Sequence, residues 1–291
     1  MRLVTYQLDN RVAIGAVTEQ GIVDLTAVAA DMLTLIELGE SGQQQVRECI
    51  EKATSFIPME SVSLLAPIPN PRRNVMCLGL NYVEHAAESY GARGQDVKIP
   101  EVPIVFTKAT TAVTGPYSEI PFDSAVSTQI DWEVELGVII GRRGKNITPD
   151  EAMNFIFGYT IINDISARDL QHQHKQYFKG KSLDGACPMG PWIITADSLP
   201  NPHQLQLVSR VNGQIKQNSN TQYMIFNIPA ILYHLSRGMT LLPGDIIATG
   251  TPSGVGFARQ PPEFLQPGDI IECEIEEIGI IRNQIGPDKA T

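Results

Sequence analysis

The stretch IDWEVELGVIIG, residues 130–141, has the alternation of a β-strand. Apolar side chains take the even positions, whereas Asp131, Glu133 and Glu135 take odd positions. Because alternate side chains of a strand share a face, Glu133 and Glu135 are predicted to be neighbours, about 7 Å apart at the backbone. Like charges at that spacing repel. The pattern therefore indicates either the hydrated face of a half-buried antiparallel strand or a bound cation.

The composition is that of a globular protein. Of the 291 residues, 43% are hydrophobic and 19% are charged, which is enough material for one large domain or two smaller ones. The formal net charge is −10, and basic residues cluster no further than pairs such as Arg142-Arg143. This balance argues against nucleic acid and against an anionic membrane as partners.

The four cysteines, Cys49, Cys77, Cys187 and Cys273, are scattered and form no CxxC pair. Such spacing is typical of reduced cysteines and gives no signal for zinc. No apolar run approaches the roughly 20 residues of a membrane helix, and the first residues lack the apolar core of a signal peptide. We expect a cytoplasmic location.

The chain divides near residue 68, within the proline-rich connector LLAPIPNPRRN, residues 64–74. Before it, three short strands and two segments of helical spacing predict a small α+β domain, residues 1–68. After it, short β-branched runs broken by Gly and Pro predict a mainly β domain, residues 69–291.

One helix of the larger domain is predicted from IPAILYHLSRG. Asn227 suits its N-cap, Pro229 its first turn, and Gly238 its end.

A further acid follows the buried-strand run within GYTIINDISARDLQ, residues 158–171. Asp164 is either the N-cap of a following helix or a third carboxylate at a strand end. Three carboxylates form a hard-ligand set that suits Mg²⁺, Mn²⁺ or Ca²⁺ rather than zinc. An ion held there would also remove the repulsion between Glu133 and Glu135.

The segment CLGLNYVEHAAE, residues 77–88, pairs a base with an acid. His85 and Glu88 stand at i,i+3 and face each other on a helix. Glu88 can orient the imidazole, and His85 can then take a proton from water near neutral pH. The alternative is an ordinary ion pair on an exposed helix.

Two glycine-containing segments carry further candidates. FKGKSLDGACPMGPW, residues 178–192, places Lys179 and Lys181 in a loop-like stretch, where a lysine either forms a salt bridge or stabilises an enolate. A phosphate loop is rejected because Lys175 stands where that motif needs glycine. IATGTPSGVGF, residues 247–257, lets backbone approach a ligand but does not match a dinucleotide fingerprint.

The pair His172 and His174 would diverge on a helix, so both are predicted to be surface residues.

Taken in order, these segments resemble the fumarylacetoacetate hydrolase superfamily, in particular its bacterial two-domain members, over most of residues 70–285. The resemblance implies a mixed α/β, mainly β fold with a β-roll catalytic domain, and usually a homodimer. The resembling stretches are GLNYVEHAAE, DWEVELGVIIG, GYTIINDISARDLQ, GKSLDGACPMGPW, VNGQIKQNSNTQYMIF and PGDIIATGTPSGVG.

The resemblance also implies roles for site residues. One Mg²⁺ or Mn²⁺ is bound, and a lid segment orders over the substrate and activates water. The implied metal ligands are Glu133, Glu135 and Asp164; the lid residues are His85 and Glu88; Lys181 lies beside the metal; and the positions near the bound acid are Arg168, Gln171, Gly250 and Thr251.

Two departures from the family pattern are visible. Leu183 stands where many members have Phe, which alters the expected pocket shape. The fourth acidic ligand of the eukaryotic hydrolase has no counterpart near GLNY, so water is expected there. Residues 81–97, with two glycines and many charges, are predicted to be mobile without ligand.

The expected activity is metal-dependent hydrolysis of a C–C bond in 2,4-dioxo acids, acylpyruvates such as fumarylpyruvate, through a metal-stabilised enolate. Decarboxylation of oxaloacetate and isomerisation of an unsaturated 2-oxo diacid use the same site. The alternative from a different functional class is a noncatalytic ligand-binding protein. The presence of His85, Glu88 and Lys181 argues against this alternative, because a protein that only chelates a ligand does not need them.

Overall fold

The computed structural model describes residues 1–92 and 94–290, which contain eighteen strands and six α-helices. The strands are β1 Arg2–Leu8, β2 Arg11–Thr18, β3 Gly21–Asp24, β4 Ser63–Leu64, β5 Val75–Gly79, β6 Ile104–Lys108, β7 Val113–Thr114, β8 Ile120–Phe122, β9 Ile130–Asp131, β10 Val134–Ile140, β11 Ile156–Asn163, β12 Ser166–Ala167, β13 Cys187–Thr195, β14 Gln206–Val211, β15 Gln214–Asn220, β16 Ile246–Ala248, β17 Ile270–Ile275 and β18 Gly279–Asp288. The helices are α1 Met32–Glu37, α2 Gly39–Lys52, α3 Val83–Ala92, α4 Arg168–Gln173, α5 Phe178–Lys181 and α6 Ile228–Ser236.

The strands form one large mixed sheet, a five-stranded sheet and a two-stranded pair, in agreement with the predicted mainly β fold. In the large sheet the main order is β3-β2-β1-β13-β11-β10-β16-β5-β6. The amino-terminal strands join this sheet because β1 pairs antiparallel with β13, Arg2 opposite Ile194. The division near residue 68 stays a prediction.

The segment 130–141 forms two strands rather than the single one predicted. β9 pairs with β12, whereas β10 lies in the middle of the large sheet between β11 and β16. Because every residue of β10 is buried, the hydrated outer face is wrong as an explanation of the acids.

Two apolar layers bury this central strand. On one face, Val134, Leu136 and Val138 belong to a core cluster with Ile271 and Ile281 of the five-stranded sheet. A second cluster contains Ile139 of β10 together with residues of the amino-terminal helices, among them Leu35 and Val46. The strand that carries the acids is thus enclosed by both parts of the chain.

The helix predicted from residues 228–238 is confirmed as α6. The Asn227 side chain accepts a hydrogen bond from the amide of Ala230, Pro229 lies in the first turn, and Gly238 follows the helix with φ +73°. Within the described residues no helix is long and apolar enough to cross a membrane, and the four cysteines form no disulfide there.

A substitution at Gly158 on β11 tests the close packing of β11 against β13. A Cβ at this position would lie 2.2 Å from the backbone oxygen of Ile194 on β13. Gly158→Ala should therefore lower the free energy of unfolding by about 1–3 kcal/mol, measured by urea denaturation. Gly91→Ala is the matched control because its Cβ would have no heavy atom within 4 Å. Equal denaturation midpoints for both variants would contradict this packing.

Candidate active site

Three carboxylates meet where β10 and β11 run side by side. Glu133 precedes β10, Glu135 lies on it, and Asp164 directly follows β11. The amide of Asp164 donates to the backbone oxygen of Glu133 at 2.9 Å, which fixes the two strand ends against each other. One oxygen from each carboxylate lies within 4.8 Å of the others, and none of the three residues is more than 5% exposed.

The helix-cap interpretation of Asp164 is wrong. The next helix, α4, begins at Arg168, and Ala167 occupies its N-cap position without a side-chain hydrogen bond. Asp164 instead points its two oxygens at two buried lysines.

Three buried cations surround the acids. Lys181 Nζ bridges Glu133 Oε2 at 2.8 Å and Asp164 Oδ2 at 2.7 Å. Lys108 Nζ donates to Asp164 Oδ1 at 2.6 Å and to the backbone oxygen of Ile165 at 2.9 Å. The Arg168 guanidinium lies 2.7 Å from Glu133 Oε1 and 2.7 Å from Asp131 Oδ2. These charge-assisted contacts pair Asp131, Glu133 and Asp164 with cations in a site that is nearly closed to water.

The charges in this cluster do not balance. Four buried carboxylates, including Asp131, face three buried cations. Glu135 receives the amide of Gly250 on Oε2 at 2.8 Å, while its Oε1 is buried with no hydrogen-bond partner among the described residues. An unpaired carboxylate oxygen and one more carboxylate than there are cations fit a divalent cation, and oxygen donors suit Mg²⁺ or Mn²⁺. Glu133, Glu135 and Asp164 would hold it.

The pKa values of the acids reflect the same imbalance. Burial, and then the charges of Asp164 and Glu133, raise the pKa of Glu135 well above its ordinary value. Burial acts in the same direction on Glu133, but Lys181, Arg168 and His85 together lower its pKa below the ordinary value. Glu135 is therefore the carboxylate that lacks a cation.

The glycine segment supplies backbone amides to the acids. Gly250 donates to Glu135, Gly254 donates to Glu88 Oε2 at 2.9 Å, and Gly256 donates to Asp131 Oδ1 at 2.6 Å. Gly250 and Gly254 have φ of +97° and +101°, a region that glycine occupies without strain. This loop therefore approaches the protein's own carboxylates closely, rather than the dinucleotide of a cofactor.

The predicted pair of base and acid forms on α3. His85 Nδ1 lies 2.9 Å from Glu88 Oε1, and His85 is only 5% exposed. His85 is close enough to Glu133 to contribute to the lowered pKa of that carboxylate. The alternative of an exposed surface pair is wrong, because α3 holds the imidazole against the acidic cluster. The mobility of residues 81–97 stays a prediction, and residue 93 lies outside the described residues.

The residues expected near a bound acid lie around the cluster. Thr251 Oγ1 donates to the backbone oxygen of Val134 at 2.9 Å, and Gln171 Oε1 accepts from Arg168 at 3.0 Å. Their roles toward substrate, like that of Gly250, stay predictions.

Other predictions have mixed outcomes. Residues 178–181 form the short helix α5 rather than a loop, with Lys181 buried and Lys179 exposed. His172 and His174 are exposed as predicted. Leu183 packs partly buried against the core.

Sequence analysis missed two members of the cluster. Lys108 ends β6 in a stretch without a motif, and nothing local signals a buried lysine. Asp131 shares the strand parity of the two glutamates but was given no role. It accepts from Arg168 and from the amides of Gly256 and Phe257, so it anchors the glycine loop. The parity of Asp131 was the one signal that could have identified it.

Comparison with known proteins shows the family to which the chain belongs. Residues 74–286 match the family described as fumarylacetoacetate (FAA) hydrolase C-terminal. The chain belongs to this family. It is 42% identical over 305 residues to oxaloacetate tautomerase YisK of Bacillus subtilis, covering 98% of this chain and 100% of that protein. It is 40% identical to mitochondrial oxaloacetate tautomerase Fahd2a of Rattus norvegicus, covering 98% of this chain and 91% of that protein.

Solved structures give the same assignment. Fumarylacetoacetate hydrolase from Exiguobacterium antarcticum superposes with a TM-score of 0.82 at 38% identity, covering 98% of this chain and 99% of that one. Maleylpyruvate hydrolase from Sphingobium sp. SYK-6, in complex with manganese(II) and pyruvate, gives 0.79 at 29% identity, covering 99% and 100%. The protein is thus an enzyme of this family, whose members include tautomerases, isomerases and hydrolases.

The unpaired oxygen of Glu135 makes metal binding directly testable. Isothermal titration should find one Mg²⁺ or Mn²⁺ per chain, and Glu135→Gln should weaken binding at least tenfold, since even outer-shell changes typically cost about 10–100-fold. Glu274→Gln, which breaks an ion pair with Arg210 on the five-stranded sheet, is the matched control. Unchanged affinity in Glu135→Gln, or no binding to the wild-type protein, would refute the site.

Proposed function

We propose that this enzyme moves a proton at C3 of 2-oxo acids, with interconversion of the enol and keto forms of oxaloacetate as its principal reaction. The observation that carries the proposal is buried His85, paired with Glu88 and close to Glu133 of the acidic cluster. Full-length similarity to oxaloacetate tautomerases from a bacterium and from mitochondria supports this choice of substrate.

The cluster is suited to bind the 2-oxo acid end of a substrate. A bound Mg²⁺ or Mn²⁺ would supply Lewis acidity to the 2-oxo and carboxylate oxygens. Lys181 Nζ lies between the carboxylates of Glu133 and Asp164, so a permanent positive charge stands beside the acidic cluster. Burial lowers the pKa of Lys181, but the charges of Asp164 and Glu133 raise it by more. The pKa is therefore raised, and Lys181 stays charged. That charge stabilises negative charge developing on the 2-oxo oxygen.

His85 is the residue suited to carry the proton. Glu88 engages Nδ1, which leaves Nε2 as the ring nitrogen for proton transfer. Glu88 is itself held by the amide of Gly254, so the imidazole is oriented from the protein side. In the direction from enol to keto, His85 Nε2 delivers a proton to C3, the enol hydroxyl proton is released to solvent, and His85 regains a proton from solvent, so no water is consumed.

Acylpyruvate hydrolysis is the second candidate, and the structural similarity to maleylpyruvate hydrolase favours it. His85 would then take a proton from water that adds to C4, after which the C3–C4 bond breaks and C3 is protonated. Oxaloacetate decarboxylation and isomerisation of unsaturated 2-oxo diacids also require charge stabilisation by Lys181. They differ in how much they need a base, and this difference allows an experimental separation.

Replacing His85 should therefore separate these reactions. His85→Ala should lower kcat for oxaloacetate tautomerisation and for acylpyruvate hydrolysis by about 10²–10⁴-fold, the usual contribution of general acid–base catalysis. Decarboxylation of oxaloacetate should fall much less, because its C3–C4 bond breaks without a proton being moved first by a base or acid. The conversion of enol to keto form is followed by ultraviolet absorbance at saturating Mg²⁺. The rate of the uncatalysed conversion in buffer is subtracted.

His174→Ala, at an exposed histidine, is the matched control. Near wild-type tautomerisation in His85→Ala, with Mg²⁺ affinity retained, would exclude His85 as the proton carrier. Cleavage of fumarylpyruvate without any acceleration of oxaloacetate tautomerisation would favour the second candidate instead.

A further inference from the structure

A cavity of about 390 Å³ is lined in part by the chain neighbours of active-site residues. The start of α3 supplies one wall, with Val83 and Glu84, and the residues after Thr251 supply another, with Ser253. Tyr223 and Met224 close the far side. Ser253 Oγ donates to Glu84 Oε2 at 3.2 Å, so the two walls are joined across the cavity mouth.

The walls of this cavity share elements with the active site. Glu84 and Glu88 lie at i,i+4 on α3 and therefore share one face of the helix. Ser253 lies between Gly250, which donates to Glu135, and Gly254, which donates to Glu88. A substrate whose 2-oxo acid end occupies the cluster would therefore extend its remaining atoms toward this cavity.

Tyr82 connects the two regions. Its ring lines the cavity, and its residue is only 1% exposed. Tyr82 directly follows Asn81, whose Cβ would lie 2.7 Å from a Cβ on Gly250, the glycine that donates to Glu135. The hydroxyl of Tyr82 has no hydrogen-bond partner among the described residues. A buried hydroxyl of this kind is a donor for a ligand oxygen that lies between the two regions.

The side chains that line the cavity favour an uncharged ligand group over a carboxylate. Val83 and Tyr223 are 53% and 57% exposed and present apolar surface to the cavity. Glu84 is the one charged residue of the lining, which contains no lysine, arginine or histidine. A terminal carboxylate placed there would meet a like charge and no compensating cation, whereas an uncharged tail would cover apolar surface.

We propose that this cavity is a subsite for the uncharged, apolar tail of a 2-oxo acid, so that the enzyme prefers neutral-tailed substrates to diacids long enough to reach it. The inference rests on the proposed function for the position of the 2-oxo acid end. Oxaloacetate is short enough to leave the cavity empty, so the proposed tail subsite is compatible with oxaloacetate as a substrate.

Two ligands of equal chain length test this preference without turnover. 2-Oxohexanoate ends in a methyl group and 2-oxoadipate in a carboxylate, and neither has a C–C bond that the hydrolysis or decarboxylation considered above would cleave. Isothermal titration at saturating Mg²⁺ should show 2-oxohexanoate binding about fivefold or more tightly, the scale of one partly exposed charge interaction. Equal affinity, tighter binding of 2-oxoadipate, or no binding of either acid would overturn the proposal.

A charge reversal locates the effect. Glu84→Lys should shift the affinity ratio toward 2-oxoadipate by about fivefold to tenfold. Glu19→Lys, an equal charge change at an exposed residue between β2 and β3, should leave the ratio unchanged. The same ratio in Glu84→Lys as in wild type would exclude the cavity as the subsite. Failure of the proposed function appears separately, as absent oxaloacetate tautomerisation in a protein that retains the tail preference.

Discussion

The structure depends on four carboxylates being buried together against only three cations. Burying an ionised carboxylate without a partner costs several kcal/mol, so each acid must be paired or hydrogen-bonded. Asp131, Glu133 and Asp164 meet this requirement through Arg168, Lys181 and Lys108. Glu135 meets it only in part, since one of its oxygens has no partner in the described part of the chain. The unpartnered oxygen of Glu135 is the point at which the three acids could take up a divalent cation.

Much of the surrounding architecture serves to hold this cluster. Gln217 of β15 accepts from the amide of Val134 at 3.0 Å and donates to Thr251 Oγ1 at 2.7 Å, so the five-stranded sheet fixes both the acidic strand and the glycine loop. Asn81 donates to the backbone oxygen of Thr249 at 2.7 Å and so joins the start of α3 to the same loop. The acids, their amide donors and His85 are therefore held by one connected set of hydrogen bonds, which favours precise proton transfer.

The sequence predicted the parts of the site that local pattern encodes. Strand alternation placed Glu133 and Glu135 on one face, and i,i+3 spacing paired His85 with Glu88. It did not predict that both faces of β10 are buried, because burial of the acidic face depends on strands and helices distant in sequence. For the same reason the burial of Lys108 was not predicted, since its charge is compensated by Asp164, 56 residues away in the chain. The domain boundary, the dimer and the substrate contacts stay predictions.

The central claim is that the uncompensated charge exists to bind a metal ion. The most direct measurement is an anomalous difference map from crystals grown with Mn²⁺. The account predicts one strong peak among the carboxylates of Glu133, Glu135 and Asp164, with Glu135 Oε1 as a ligand. A map with no peak there, or with Mn²⁺ bound elsewhere while the enzyme is fully active, would contradict it.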